Sequence, residues 1–314
     1  MRILMICVLA WFAMPALADY RDHPRANEFR TRLMAEGFSR AELDALLADA
    51  RRNPKLVQAE QQSAERTKTW PEYLAIFLRD DRIRAGVDFW RTHAATLERA
   101  RRDYGVPPEY IVAIIGVETR YGGYTGPHRI LDSLATQGFD HPTRSPFFFN
   151  ELVEFIQLSR EHDIDPRAAK GSYAGAMGLS QFMPSNYRRL AQDYDGDGRV
   201  DLWTPVDAIG STAHYLVHYR GPGRGWQAHA PVLVAALGTP DADTPRNRSR
   251  IESRYGDFVP ALTAVPAVAL TAEAGLIALD YGDREEYWFG LTNFYNLMAY
   301  NPRVYYAMAV YRLA

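Results

Sequence analysis

The chain has 314 residues, of which 47% are hydrophobic, 12% aromatic and 24% charged. That is an ordinary globular balance, with material for one large or two smaller domains. A formal net charge of −2 argues against polyanion binding as the main activity, because nucleic-acid binders carry a basic footprint.

Residues 1–18 read as an export signal. Arg2 supplies the positive start, Ile3 to Ala13 the apolar run, and "ALA" at 16–18 a small-x-small cleavage site. The run is too short to span a bilayer, which takes roughly 20 residues. The single cysteine, Cys7, lies inside this segment, so the mature chain is expected to have no disulfide. Lipidation of Cys7 is not expected, because Ile6 stands where such sites usually carry a small residue.

Residues 19–104 are expected to form a helical domain. "ANEFRTRLMAEGF" and "RAELDALLADARR" place apolar residues at i, i+3, i+4 spacings, and Ser39 with Glu42 makes a capping box. "RIRAGVDFWRTHAATLERARRDYG" predicts one further helix ending near Gly105. "VPPEYIVAIIGVETRYGG" predicts another, with Pro107 or Pro108 in the first turn and Gly122 and Gly123 as its end. From Tyr110 to Val117 it is apolar on all sides, as a helix inside a domain would be.

Glu118 closes that apolar run. It is a paired structural residue, a metal ligand or a catalytic acid. On a helix, Ile111, Ile114 and Ile115 share its side. An apolar wall raises a carboxyl's pKa and can keep it protonated near neutrality, ready to act as a general acid. Ion pairing with Arg120 or Arg129 would make it structural instead.

Residues 145–164 predict a helix with Ser145 as its cap and three phenylalanines packed in the core. "GSYAGAMGLSQFMPS" (171–185) is rich in small residues, which admit close approach of backbone to a ligand or to another element. Ser172, Tyr173, Gln181 and Tyr187 add uncharged hydrogen-bonding groups and ring faces, a mix suited to a neutral polar ligand such as a sugar. "DYDGDGRVDLWTPVD" (193–207) matches the start of an EF-hand loop at Asp193, Asp195, Asp197 and Gly198. Position 12 is Thr204 rather than the usual Glu, and the next carboxylate is Asp207. A helix follows at 206–220, then a polar loop at 238–250. Short β-like runs interrupted by proline and glycine make a small β-rich subdomain at 251–290. "NPRVYYAMAVYRL" closes the chain as a helix within the segment 291–314.

"VETRYGG", "GSYAGAMGLSQFMPS" and "NFYNLMAYNPRVYYAMAV" resemble, in this order, motifs of the lytic murein transglycosylase B family. The resemblance runs from about residue 25 to the end. It implies a mainly α (α+β) fold. A lysozyme-like catalytic core at 105–250 would carry an EF-hand-like loop, joined to an additional helical domain and a small β-rich subdomain. It also implies a periplasmic, monomeric enzyme acting on peptidoglycan glycan strands. Glu118 would be the single acid/base, assisted by the substrate's acetamido group and leaving a 1,6-anhydro end. A hydrolytic muramidase, or a calcium-dependent peptidoglycan-binding protein without turnover, are the alternatives. Ser172, Tyr173, Met177, Gln181, Tyr215, Tyr295 and Tyr300 would line the groove. A structural Ca²⁺ would be held by Asp193, Asp195, Asp197, the Arg199 carbonyl and Asp207. Pro302 departs from the family pattern, where a serine often stands, and a helix start accommodates it.

Overall fold

The computed structural model describes residues 20–61, 67–259 and 261–314. The export segment and Cys7 lie outside the described residues. No helix among those described is long and apolar enough to cross a membrane.

Helices α1 (Ala26–Ala35), α2 (Arg40–Asp49) and α3 (Pro54–Gln61) open the chain. The capping box forms: Glu42 N–H donates to the Ser39 hydroxyl at 3.2 Å, and Ser39 N–H to the Glu42 carboxylate at 2.8 Å. Then come α4 (Trp70–Leu74), α5 (Asp80–Thr92), α6 (Ala94–Tyr104) and α7 (Pro108–Thr119). The single helix expected before Gly105 is therefore two, broken at His93. The break lets α5 lie on α7 while α6 turns onto a later helix, α11 (Pro205–His218).

The segment 19–104, expected to form one helical domain, contributes to two cores. Tyr20 through Ala50 share a core with α8 (Ile130–Asp140), α9 (Ser145–Glu161) and α10 (Pro184–Leu190). Trp70 through Ala100 share another core with α7, α11, α12 (Thr292–Tyr300) and α13 (Val304–Leu313). Short amphipathic helices bury only one stripe each and must find partners elsewhere in the chain.

Helix α7 is the central element. Pro108 starts it, and Ile111, Ile114 and Ile115 are fully buried. It ends at Thr119, before the glycines expected to stop it, because Arg120 and Tyr121 both take left-handed backbone (φ 53° and 60°). Such φ values are uncommon without glycine. Tyr121 is held there by a slot: a Cβ on Gly86 or Gly116 would lie 2.5 or 2.6 Å from its hydroxyl. Two side chains are thus missing where one ring must pass.

Helix α9 starts at Ser145 with Arg144 as its cap, so Ser145 is not the cap expected. Its hydroxyl donates to the Gly138 carbonyl instead, at 2.6 Å. Phe148 and Phe149 are buried as expected, whereas Phe147 is 41% exposed.

Strands β1 (His128–Arg129) and β2 (Lys170–Gly171) form a small antiparallel pair. A second sheet joins β3 (Leu233–Gly238), β4 (Ser253–Arg254), β5 (Leu262–Val265), β6 (Glu273–Asp280) and β7 (Glu285–Gly290) in the order β4-β6-β7-β3-β5. The β-rich unit thus recruits β3 from residues assigned to the catalytic core. "LVAALG" is covered on both faces at its start and shows no polar alternation to mark it as a strand. Along β6, Leu276 faces a core internal to the sheet while Ile277 and Leu279 face the helices.

Candidate active site

Glu118 lies in the last turn of α7 and is half-buried. Its partner is neither Arg120 nor Arg129. The Tyr306 hydroxyl, from α13, donates to Glu118 Oε1 at 2.6 Å. Burial pushes the Glu118 pKa up to about 7, and the Tyr306 hydrogen bond opposes part of that rise. Among the described residues no second carboxylate acts on it. Asp140 takes the Tyr20 hydroxyl and Arg52, Asp132 takes Arg51 N–H and Arg129, and Glu151 takes Ser185 N–H and hydroxyl. Burial and the Glu118 charge hold the Tyr306 and Tyr300 hydroxyls well above the usual tyrosine value, so both stay neutral.

Nothing in the sequence singled out Tyr306. It is one of two adjacent tyrosines in "RVYYAMAV", 188 residues from its acceptor. The available signal was a hydroxyl in an otherwise apolar helix, the counterpart of a carboxyl in α7. Removing that hydroxyl has a signed consequence. The bond favours the charged form of Glu118, so Tyr306→Phe should raise its pKa. An enzyme that starts with protonated Glu118 loses activity as pH rises through that pKa. The alkaline limb of its kcat/KM profile should therefore move to higher pH in the variant. An unmoved limb, or one displaced downward, would show that this bond does not set it.

Of these groups only Tyr300 reaches a cavity of about 900 Å³; Glu118 and Tyr306 are not in its lining. Tyr300 forms part of its wall, with its hydroxyl donating to the Ser180 carbonyl at 2.7 Å. Tyr215 on α11 lines it too, with its hydroxyl on the Ala299 carbonyl at 2.8 Å and its ring stacked on Tyr219. Tyr173 is 39% exposed and adds a ring face, as do Phe147 and Tyr73. Tyr73, on α4, was not anticipated. The cavity's lining mixes ring faces with polar groups.

Four of the seven expected groove residues, Ser172, Met177, Gln181 and Tyr295, are not in this lining. Tyr295 is five residues before Tyr300, which on a helix turns it by about 140°. It points into the main core, its hydroxyl 2.0 Å from where a Cβ on Gly275 would be. Met177 is fully buried in the second core and paired with Phe182 through two backbone hydrogen bonds. Its sulfur does not reach the groove, because the loop turns its large apolar side chain inward.

That loop is braced against the end of α7. The Thr119 hydroxyl is 3.0 Å from the Leu179 carbonyl and accepts Gly122 N–H at 3.1 Å. Gly178 (φ 69°) presses on Leu202, where a Cβ would come within 2.5 Å. Gln181 also takes left-handed backbone and donates through Nε2 to the Thr125 and Gly178 carbonyls. The Ser172 Oγ accepts N–H groups from Ala174 (3.3 Å) and Ala176 (3.0 Å). Its own proton therefore remains free to donate.

In the loop at 193–207, carboxylate oxygens of Asp193, Asp195 and Asp197 lie within 4.8 Å of one another. Gly196 and Gly198 make the turns at φ 79° and 88°. Asp207 is not in the cluster. It is buried, and its carboxylate accepts N–H groups of Tyr194 (2.7 Å), Asp195 (3.3 Å) and Asp201 (2.7 Å). These bonds hold the loop's shape. Arg199 N–H donates to Asp197. An all-oxygen set of this kind suits a hard cation such as Ca²⁺.

The model of the Transglycosylase SLT domain matches residues 21–314. The chain belongs to the transglycosylase SLT domain family. It is 38% identical over 313 residues to the membrane-bound lytic murein transglycosylase B of Escherichia coli (strain K12), covering 94% of this chain and 83% of that protein. The structure of the E. coli lytic transglycosylase SLT35 in complex with calcium aligns with a TM-score of 0.85 and 39% identity, over 94% of this chain and 93% of that one. SltB3 from Pseudomonas aeruginosa, in complex with NAG-anhNAM-pentapeptide, aligns with a TM-score of 0.75 and 29% identity, over 92% and 77%. Members of this transglycosylase family thus share the fold as a whole.

Proposed function

We propose that this family member is a periplasmic lytic transglycosylase of peptidoglycan. It cleaves the β-1,4 bond between N-acetylmuramic acid and N-acetylglucosamine and leaves a 1,6-anhydro end. The observation that carries this is Glu118, whose pKa burial pushes up to about 7 and whose hydrogen-bond partner among the described residues is the Tyr306 hydroxyl.

Most glycosidases use two carboxylates. Here one acts twice. Glu118 donates its proton to the glycosidic oxygen as that oxygen's bond to the muramic acid C1 breaks. The muramic acid's acetamido oxygen bonds to C1 and carries the charge, a substrate-assisted step outside the two-carboxylate rule. Glu118, now a carboxylate, takes the proton of the C6 hydroxyl. That oxygen bonds to C1 and expels the acetamido oxygen, closing the ring without consuming water. The free Ser172 O–H is the donor for the acetamido group. Tyr173, Tyr215 and Tyr300 form the groove walls, and Gln181 braces the loop that carries Ser172. Asp193, Asp195, Asp197 and the Arg199 carbonyl hold a structural Ca²⁺, with Asp207 shaping the loop behind them. The protein is expected to act as a monomer.

Mass spectrometry of products from purified glycan strands tests this reading. Anhydro ends, lighter by one water than hydrolysed ends, are expected. Predominant reducing ends would make the protein a muramidase on the same fold.

A further inference from the structure

Arg82 on α5 is only 9% exposed, and among the described residues no carboxylate pairs with it. Its hydrogen-bond partner is the Gly116 carbonyl at 3.1 Å, and the Phe77 ring lies 5.3 Å from the guanidinium. A buried charge without a counter-charge is costly. Burial, and then Arg120 beside it, push this guanidinium below the usual arginine range.

Arg82 lines a cavity of about 360 Å³ together with Arg79 and Arg120. Asp81 also lines it, but Arg79 engages that carboxylate at 3.0 Å. Three guanidiniums and one carboxylate leave the wall with an excess of positive charge. Arg120 itself is exposed and has no ion-pair partner among the described residues. Arg120 follows Glu118 by two residues, on the left-handed turn that ends α7. Ile76 borders both this cavity and the aromatic groove, so the two adjoin.

The geometry points to an anion subsite: we propose that Arg79, Arg82 and Arg120 receive a carboxylate of the peptide stem borne by the glycan strand in the groove. The proposal rests on the peptidoglycan reading above. Guanidinium forks match carboxylate geometry, and a carboxylate tethered to a bound strand arrives at high effective concentration.

The test uses the full mature chain and two substrates, glycan strands with stems intact and strands stripped of them by an amidase. The readout is the ratio of kcat/KM on stem-bearing strands to that on stripped strands. The parent's ratio should exceed one. It should fall about tenfold, chiefly through KM, in Arg120→Met and in Arg79→Met, as expected for the loss of one charge-assisted hydrogen bond. Arg120→Lys should recover part of it. Arg82→Met is not the diagnostic variant, because it also removes the bond to Gly116. A ratio unchanged in both methionine variants, with anhydro products still formed, overturns the subsite and leaves the catalytic reading intact. Failure of the parent to cleave either strand overturns the catalytic reading. An unchanged ratio together with inorganic phosphate binding that both variants abolish identifies a free-anion site and overturns the peptide assignment.

Discussion

Glu118→Gln is expected to abolish cleavage and, at the same time, to stabilise the folded protein at neutral pH. Glutamine can neither give the proton to the glycosidic oxygen nor take one from the C6 hydroxyl. General acid–base catalysis contributes about 10²–10⁴-fold, and here one group performs both transfers, so the loss should lie at or above the top of that range. The stability effect comes from the same burial. In the folded protein the Glu118 pKa is raised to about 7. Between the ordinary glutamate range and that value, the folded state keeps a proton that the unfolded chain has released. Stability therefore falls as pH rises through this window, and the loss is complete above pH 7. A shift of this size corresponds to about 3 kcal/mol. Glutamine does not ionise and still accepts from Tyr306. The melting temperatures of variant and parent should nearly coincide at pH 4.5 and separate by several degrees at pH 8. Cleavage by the variant at the parent's rate, or melting curves that run parallel across pH, would sink this account of the acid.

Asp207→Ala should produce the other large effect, and it separates two roles that the sequence alone merges. The Asp207 carboxylate accepts three backbone N–H groups from across the loop. Leaving a fully buried donor without an acceptor costs about 1–3 kcal/mol, and these donors are part-buried, so each contributes toward the low end of that range. The variant should therefore melt several degrees below the parent even in chelator. Calcium is a separate term. An ion bound only by the folded state adds stability set by its concentration over its Kd, about 2.7 kcal/mol at a hundredfold excess. Chelator should lower the parent's melting temperature, and Asp193→Asn should abolish that response. If Asp207→Ala and the parent melt together in chelator, Asp207 is not a strut; loss of the variant's response to calcium would then identify it as a metal ligand.

Both predictions combine a local pattern with a long-range contact. The Ser39–Glu42 capping box, the Pro108 start of α7, the buried isoleucines and the Asp193–Asp195–Asp197 triplet were all readable from short spacings. Each lies within one helix or one loop, so the covalent chain itself brings the groups together. The family resemblance implies that Tyr215 and Tyr300 line the groove, and both border the 900 Å³ cavity. Tyr295, from the same run as Tyr300, faces the other way because the angle around α12 separates them. Met177 shares a loop with Ser172 but turns inward. The split at His93 and the recruitment of β3 were not readable, because each depends on which surface a segment packs against.

Sequence alone was enough to show that a carboxyl ends an apolar helix, that three aspartates alternate in a glycine-bearing loop, and that the family motifs stand in order. Those are properties of neighbours along the chain. Three further facts came from packing: Tyr306 is Glu118's hydrogen-bond partner, Asp207 accepts three backbone N–H groups outside the aspartate cluster, and Arg82 is buried with no counter-charge among the described residues. Each of those depends on groups that the folding of separate segments onto shared cores brings together, and on the water that this packing removes.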